Sequence, residues 1–226
     1  MEKFSSFITE QKNTHMTHIE DKVIYGGVKG TRDAILALRS LRDMLSGKHA
    51  GNVSVKWDGA PAIFAGIDPR DGKFFVAKKG IFNVNPKVYK TNADVEADTS
   101  GDLADKLKLA LKYLPALGIK GVIQGDFLYG PGDLKTSKIA GESYLTFHPN
   151  TIVYAVPEKS EAAKAIKSAK IGIVWHTTYT GKTFETMKAG YGVNVAKLNK
   201  SPNVWSQDAM LRDMTNLTMS EKETNE

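Results

Sequence analysis

The spacing of apolar and polar positions divides the chain into helical and extended stretches. Residues 31–47, TRDAILALRSLRDMLSG, place Ala34, Ile35, Leu38, Leu41 and Leu45 on one helical face, with Thr31 where an N-cap belongs and Gly47 where a helix stops. A second helix is predicted in DLADKLKLALKYL, where Leu103, Leu107, Ala110, Leu111 and Leu114 recur, Asp102 caps the start and Pro115 limits the end. EKSEAAKAIKSAK reads as a short Ala-rich helix, and residues 1–12 as another, with Phe4, Phe7 and Ile8 on one side. Residues 13–30, with glycines at 26, 27 and 30, read as irregular, and residues 83–99 as a polar loop.

The remaining patterns are extended. NVSVKW alternates with period two, and PAIFAGI and FFVAKKG flank a hairpin turn at Asp71-Gly72. IKGVIQGDFLYG is a buried-strand run; ESYLTF and TIVYAV follow it, joined by a turn at His148-Pro149-Asn150. IGIVWHTTY gives one more strand, after which periodicity weakens. No internal repeat interrupts this order. The sum predicts an α+β fold with mostly antiparallel sheet and covering helices. Three segments are expected: an N-terminal helix and irregular stretch over 1–30, the main domain over 31–205, and a polar, flexible tail over 206–226.

Composition narrows the chemistry. The 226 residues are 41% hydrophobic and 25% charged, ordinary for a soluble globular chain with a sizeable core. There is no cysteine, which excludes disulfides, thiol catalysis and thiolate zinc sites. No apolar run reaches the length of a membrane span, and MEKFSSFITEQKN has no apolar signal core, so a cytoplasmic setting and no membrane partner are expected. The net charge is +6, and acids gather after Gln207, so the body before it is more basic than the total. A basic body suits a polyanion such as nucleotide or nucleic acid; on charge alone a lysine-rich solvated surface is the plainer reading.

One stretch carries candidate chemistry. In VSVKWDGAPA, Lys56 ends an apolar alternation and Asp58, Gly59 and Pro61 turn the chain. A lysine desolvated beside a cleft loses pKa and becomes a usable nucleophile. On residue types alone, a lysine snorkelling from a strand end into an ordinary turn is the plainer reading.

Lys56-Trp57-Asp58-Gly59 resembles the K-x-D-G signature of covalent nucleotidyltransferases, the superfamily of ATP-dependent DNA ligases, RNA ligases and mRNA capping enzymes. Other pieces follow in that superfamily's order. FFVAKKG supplies Lys78 and Lys79 before Gly80; GVIQGDF places Asp126 where ligases carry an acid; IGIVWHTTY offers Trp175 or His176 beside the base. The resemblance implies an ATP-grasp-like adenylation domain of ligase type. In it Lys56 attacks the α-phosphate of ATP, Asp126 holds Mg²⁺, Lys78 or Lys79 meets phosphates, and Asp58 and Gly59 border the nucleotide. The AMP would pass to a nucleic-acid 5′-phosphate end. Over most of residues 17–210 the chain is similar to the N-terminal half of ligase-like proteins of large tailed phages, which implies a host-cytoplasmic setting.

The departures from the superfamily are specific. Ser54 stands where an acid is usual two residues before the lysine, and Ala60-Pro61 where an arginine often follows the glycine. Asp126 replaces the usual glutamate. No E-G-x-V segment with a later K-x-K strand follows; Lys188, Lys197 and Lys200 are the late lysines. An incomplete domain is therefore the alternative: a nucleotide- or nucleic-acid-binding module, or half of a split enzyme whose second polypeptide supplies the closing motifs. A virion-associated structural role is a third reading that no residue favours directly.

The remaining residues read as structural. His15 and His18 sit three apart with no third ligand suggested, and Asp68-Pro-Arg-Asp-Gly72 is a turn. Gly130-Pro-Gly132 lacks the Gly-Lys-Ser/Thr of a phosphate loop, Thr177, Thr178 and Thr180 suit a strand, and Trp57 and Trp205 suit packing.

Overall fold

The computed structural model describes residues 18–48, 53–213, 218–220 and 222–223. Along the chain run helices α1 (Ile19–Tyr25) and α2 (Gly27–Leu45), strands β1 (Ser54–Lys56), β2 (Ala62–Ile67) and β3 (Phe74–Ala77), helices α3 (Asn92–Asp98) and α4 (Gly101–Tyr113), and strand β4 (Val122–Tyr129). They are followed by β5 (Lys135–Ile139), β6 (Glu142–Phe147), β7 (Tyr154–Pro157), α5 (Glu161–Ser168), β8 (Ile171–Thr180), β9 (Lys188–Tyr191), β10 (Val204–Asp208) and β11 (Met210–Asp213). Of the strand pairs, β8 with β10 is parallel and the others are antiparallel. The fold is α+β with mostly antiparallel sheet. Among the described residues no helix is long and apolar enough to cross a membrane. The chain divides into two compact units: Met1–Lys56 with Met210–Glu226, and Trp57–Ala209.

In the first unit α1 packs against the start of α2, and β1 pairs with β11, Lys56 standing opposite Met210. A Cβ on Gly30 would fall 2.0 Å from the Lys22 carbonyl oxygen, so the two helices approach where only glycine fits. That contact draws Gly27–Gly30 into the helix. Thr31 is consequently not the N-cap: its hydroxyl donates to the Gly27 carbonyl inside α2 at 2.9 Å. Ala34 of the expected apolar face is buried, while Ile35, Leu38 and Leu41 are exposed. Residues 19–25, read as irregular, are α1. The predicted helix over 1–12 and His15 lie outside the described residues.

The second unit holds the large sheet, ordered β10-β8-β4-β2-β3 with β9 also on β8, and a three-stranded sheet β5-β6-β7. Ile63, Ala65, Ile123, Phe127, Ile173 and Trp175 of the large sheet pack with Leu107, Ala110 and Leu114 from α4 and the turn after it. The β2–β3 hairpin forms as predicted, Ile67 opposite Phe74. Its turn is tied down by fully buried Asp68, whose carboxylate accepts from Arg70 at 2.8 Å and pairs with Lys90 at 2.6 Å.

Three local expectations are corrected. The polar loop over 83–99 contains α3: the Asp94 N–H donates to Thr91 Oγ1 at 3.2 Å, and the Asp94 carboxylate accepts from the Thr91 N–H at 2.9 Å. Helix α4 is capped by Ser100, with Asp102 in its first turn, paired to Lys106 at 2.9 Å. Residues 206–213, read as flexible tail, complete β10 and form β11. Buried Val204, Trp205 and Ala209 anchor the first of these strands.

Candidate functional site

On β4 the even positions read Val122, Gln124, Asp126 and Leu128. Val122 packs with Phe64 and Tyr179 in one apolar cluster, and Leu128 with Val174 and Trp205 in another. Gln124 and Asp126 therefore occupy a polar gap between two apolar clusters on one face of the sheet. Burying a carboxylate in such a place is costly unless it is paired, so the pairing is informative.

The partner comes from β8, which is irregular at this point. Its outer edge changes hands at His176: β10 pairs through Trp175, and β9 takes over from Thr177. The Ala209 N–H donates to the Trp175 carbonyl at 2.9 Å and the Gly192 N–H to the His176 carbonyl at 2.7 Å. On the inner edge the register with β4 slips between Gln124 and Gly125. Val174 stands opposite Asp126, so alternation puts His176 on the Asp126 face, and the bulge brings Thr177, opposite Gln124, to the same face. His176 Nε2 lies 3.6 Å from Asp126 Oδ1, with 16% and 8% of the two side chains exposed. The other ring nitrogen, Nδ1, is 2.7 Å from Thr177 Oγ1. Gln124 is occupied by the Tyr179 hydroxyl, which donates to its Oε1 at 2.8 Å. Burial holds that phenol well above its usual range, so it stays a donor.

The signature loop lies on the same strand. A Cβ on Gly59 would be 2.4 Å from the Phe127 carbonyl oxygen and 3.1 Å from Asp126 Cβ. The Ala60 N–H donates to the Phe127 carbonyl at 3.0 Å, and the Phe127 N–H to the Pro61 carbonyl at 3.0 Å. Asp58 is gripped by side chains: Asn150 Nδ2 donates to its Oδ2 at 2.7 Å, and the Tyr154 hydroxyl bonds both its N–H and its C=O. Asp58, Gly59, Asp126 and His176 thus gather in the second unit.

The other predicted residues fall elsewhere. Lys56 is the exposed last residue of β1, in the first unit. Lys78 and Lys79 follow β3, two strands from β4. Lys78 is committed to Asp98 at 3.2 Å, whose carboxyl is held well below its usual range by hydrogen bonds from Lys87, Tyr89 and Lys78. Lys79 is exposed and forms no ion pair among the described residues. Trp175 is fully buried, and its Nε1 donates to Ser206 Oγ at 2.7 Å. Its ring is core, so of the pair offered for base contact only His176 reaches the polar gap. Among the described residues no group of three His, Cys, Asp or Glu could hold a metal.

Sequence reading missed Gln124, Thr177, Asn150 and Tyr154. Gln124 had a signal, a second polar residue two positions before Asp126 in an apolar strand. Asn150 and Tyr154 had none, since their partner is more than ninety residues away in the chain. An open groove of about 580 Å³ lies apart from these residues, beside α3 and α4. Its Lys90 and Lys108 are engaged by Asp68, Asp71 and Glu96.

No curated protein and no solved structure matches the chain. A family model does match, over residues 13–226, and it bears the description "family of unknown function". With nearly its whole length inside that match, the chain belongs to the family DUF6267.

Proposed function

We propose that the protein is an ATP-dependent nucleotidyltransferase of polynucleotide-ligase type, adenylated on Lys56. The observation that carries this reading is the packing of Gly59 on the strand of Asp126. Two segments far apart in sequence, which the superfamily pattern assigns to one nucleotide, meet where a Cβ would not fit.

In the proposed reaction the Lys56 ammonium first gives a proton to solvent, and the resulting amine attacks the α-phosphorus of ATP. The N–P bond forms, the bond to the bridging oxygen of the β-phosphate breaks, and pyrophosphate leaves with that electron pair. The amine proton passes to solvent. The AMP moves next to a 5′-phosphate end of DNA or RNA, which frees the lysine. A magnesium ion borne by the nucleotide would offset phosphate charge. The donor set fits such an ion: one buried carboxylate, Asp126, suits Mg²⁺, which keeps waters and phosphate oxygens for most of its shell. His176 Nε2 stands 3.6 Å from this carboxylate, in the same polar gap. Lys79, exposed and without an ion pair among the described residues, is better suited than Lys78 to act as a phosphate cation.

A second reading, a binding module that does not turn over, is favoured by β10. This late strand beside β8 reads VWSQD and carries no lysine. Lys188, Lys197 and Lys200 are exposed outside it. Incubation with α-labelled ATP and Mg²⁺, then denaturation, separates the two. Label on the chain that is lost in Lys56→Ala supports the enzyme, and reversible ATP binding without label supports the module. No binding of ATP or GTP overturns both. Restoration of labelling by a downstream polypeptide would identify a split enzyme.

A further inference from the structure

We infer that Tyr154 and Asn150 are positioning residues for Asp58, an inference that rests on the nucleotidyltransferase reading. Residues 57–61 lie outside regular structure, so their backbone groups need other partners. Main chain supplies some of them. The Trp57 N–H donates to the Ala209 carbonyl at 2.6 Å, and the Ala60 N–H to Phe127. At Asp58, next to Trp57, the grip comes from the three-stranded sheet and the loop before its last strand. One phenol closes on both backbone groups of the residue: the Tyr154 oxygen accepts from the Asp58 N–H at 2.7 Å and donates to the Asp58 carbonyl at 2.9 Å. A hydroxyl has one proton and two lone pairs, so both bonds can form together. They constrain the dihedrals on either side of the Asp58 Cα.

The clamp is itself rigid. The Tyr154 ring is set between Trp57, at a centroid distance of 4.6 Å, and Phe147, at 5.2 Å. Asn150 is fixed by its own Oδ1, which accepts from the Ile152 N–H at 2.8 Å. That bond settles which end of the amide faces Asp58: Nδ2 must be the atom donating to the carboxylate. Backbone and side chain of Asp58 are thus held from one side by groups whose own rotamers are locked, the arrangement a preorganised site requires.

The test uses the full chain and three readouts: labelling rate at saturating ATP, melting temperature, and hydrogen exchange in the peptide spanning residues 57–60. Tyr154→Phe keeps the ring packing and removes both backbone bonds. The labelling rate is expected to fall about 10- to 100-fold, the size of effect that an ångström-scale misplacement produces. Exchange should quicken selectively in that peptide while the melting temperature falls by only about 4–8 °C for the two lost bonds, a combination general destabilisation would not give. Asn150→Ala, which leaves Tyr154 in place, should lower the rate several-fold and decides the matter if Tyr154→Phe unfolds. Wild-type labelling with unaltered rates in both variants overturns the positioning role and leaves the enzymatic reading standing. An unlabelled wild type overturns both, and unaltered exchange in Tyr154→Phe overturns the clamp whatever the activity.

Discussion

Substituting Gly59 by alanine tests the geometry on which the site depends. The added Cβ would lie 2.4 Å from the Phe127 carbonyl oxygen and 2.9 Å from Leu128 Cδ2, where ordinary contact begins at 3.4 Å. Loop and strand must therefore part by about an ångström. Overpacking of this kind costs about 1–3 kcal/mol. The Ala60 N–H bond to the same carbonyl stretches beyond use, which removes about 1 kcal/mol more. The sum is about 3 kcal/mol, which for a chain of 226 residues corresponds to a fall of roughly 6–12 °C in melting temperature. Gly190→Ala is the control, because its Cβ would meet only the Thr178 carbonyl oxygen, at 3.7 Å. Melting followed by circular dichroism should separate the two variants clearly. If Gly59→Ala melted with the control, the signature loop would not lie against β4, and the case for joining Asp58, Gly59 and Asp126 in one site would fall.

Two further outcomes are expected. At Asp68, burial pushes the carboxyl up, but hydrogen bonds from Arg70 and Lys90 outweigh it and hold the group well below its usual range. Its stabilising contribution is therefore complete above about pH 4 and lost as pH falls through the lowered value. Asp68→Asn should cost about 2 kcal/mol at pH 7, a buried-pair value discounted because Arg70 is half exposed, and the gap from wild type should close in acid. Melting curves with a pH-independent gap would refute this. Lys79→Ala should weaken ATP binding about tenfold with unchanged melting, whereas Lys78→Ala should lower the melting temperature slightly by removing one of the three groups that hold Asp98. Titration calorimetry beside melting distinguishes them, and the reverse pattern would assign the phosphate contact to Lys78.

Periodicity made the main elements legible: α4, α5, the β2–β3 hairpin, β4 and β8 lie where apolar spacing puts them, while α2 starts four residues earlier than its spacing suggests and leaves Ile35, Leu38 and Leu41 exposed. Local chemistry also exposed the residues that stand out in their own strands, Lys56 ending β1 and Asp126 inside β4. These are properties a chain carries along its length, because side-chain spacing sets which face is buried. Elements with little apolar content escaped, such as β5, whose residues are mostly exposed, and α3, which is held chiefly by its Thr91 cap and buried Val95. What turns a set of residues into a site was decided by tertiary structure alone. The pairing of β8 with β4 that sets His176 beside Asp126, the burial that takes Trp175 into the core, and the grip of Tyr154 on Asp58 all arise from contact between distant segments. No local propensity encodes them, since each exists only when a second strand supplies the register, the cover or the hydrogen bond.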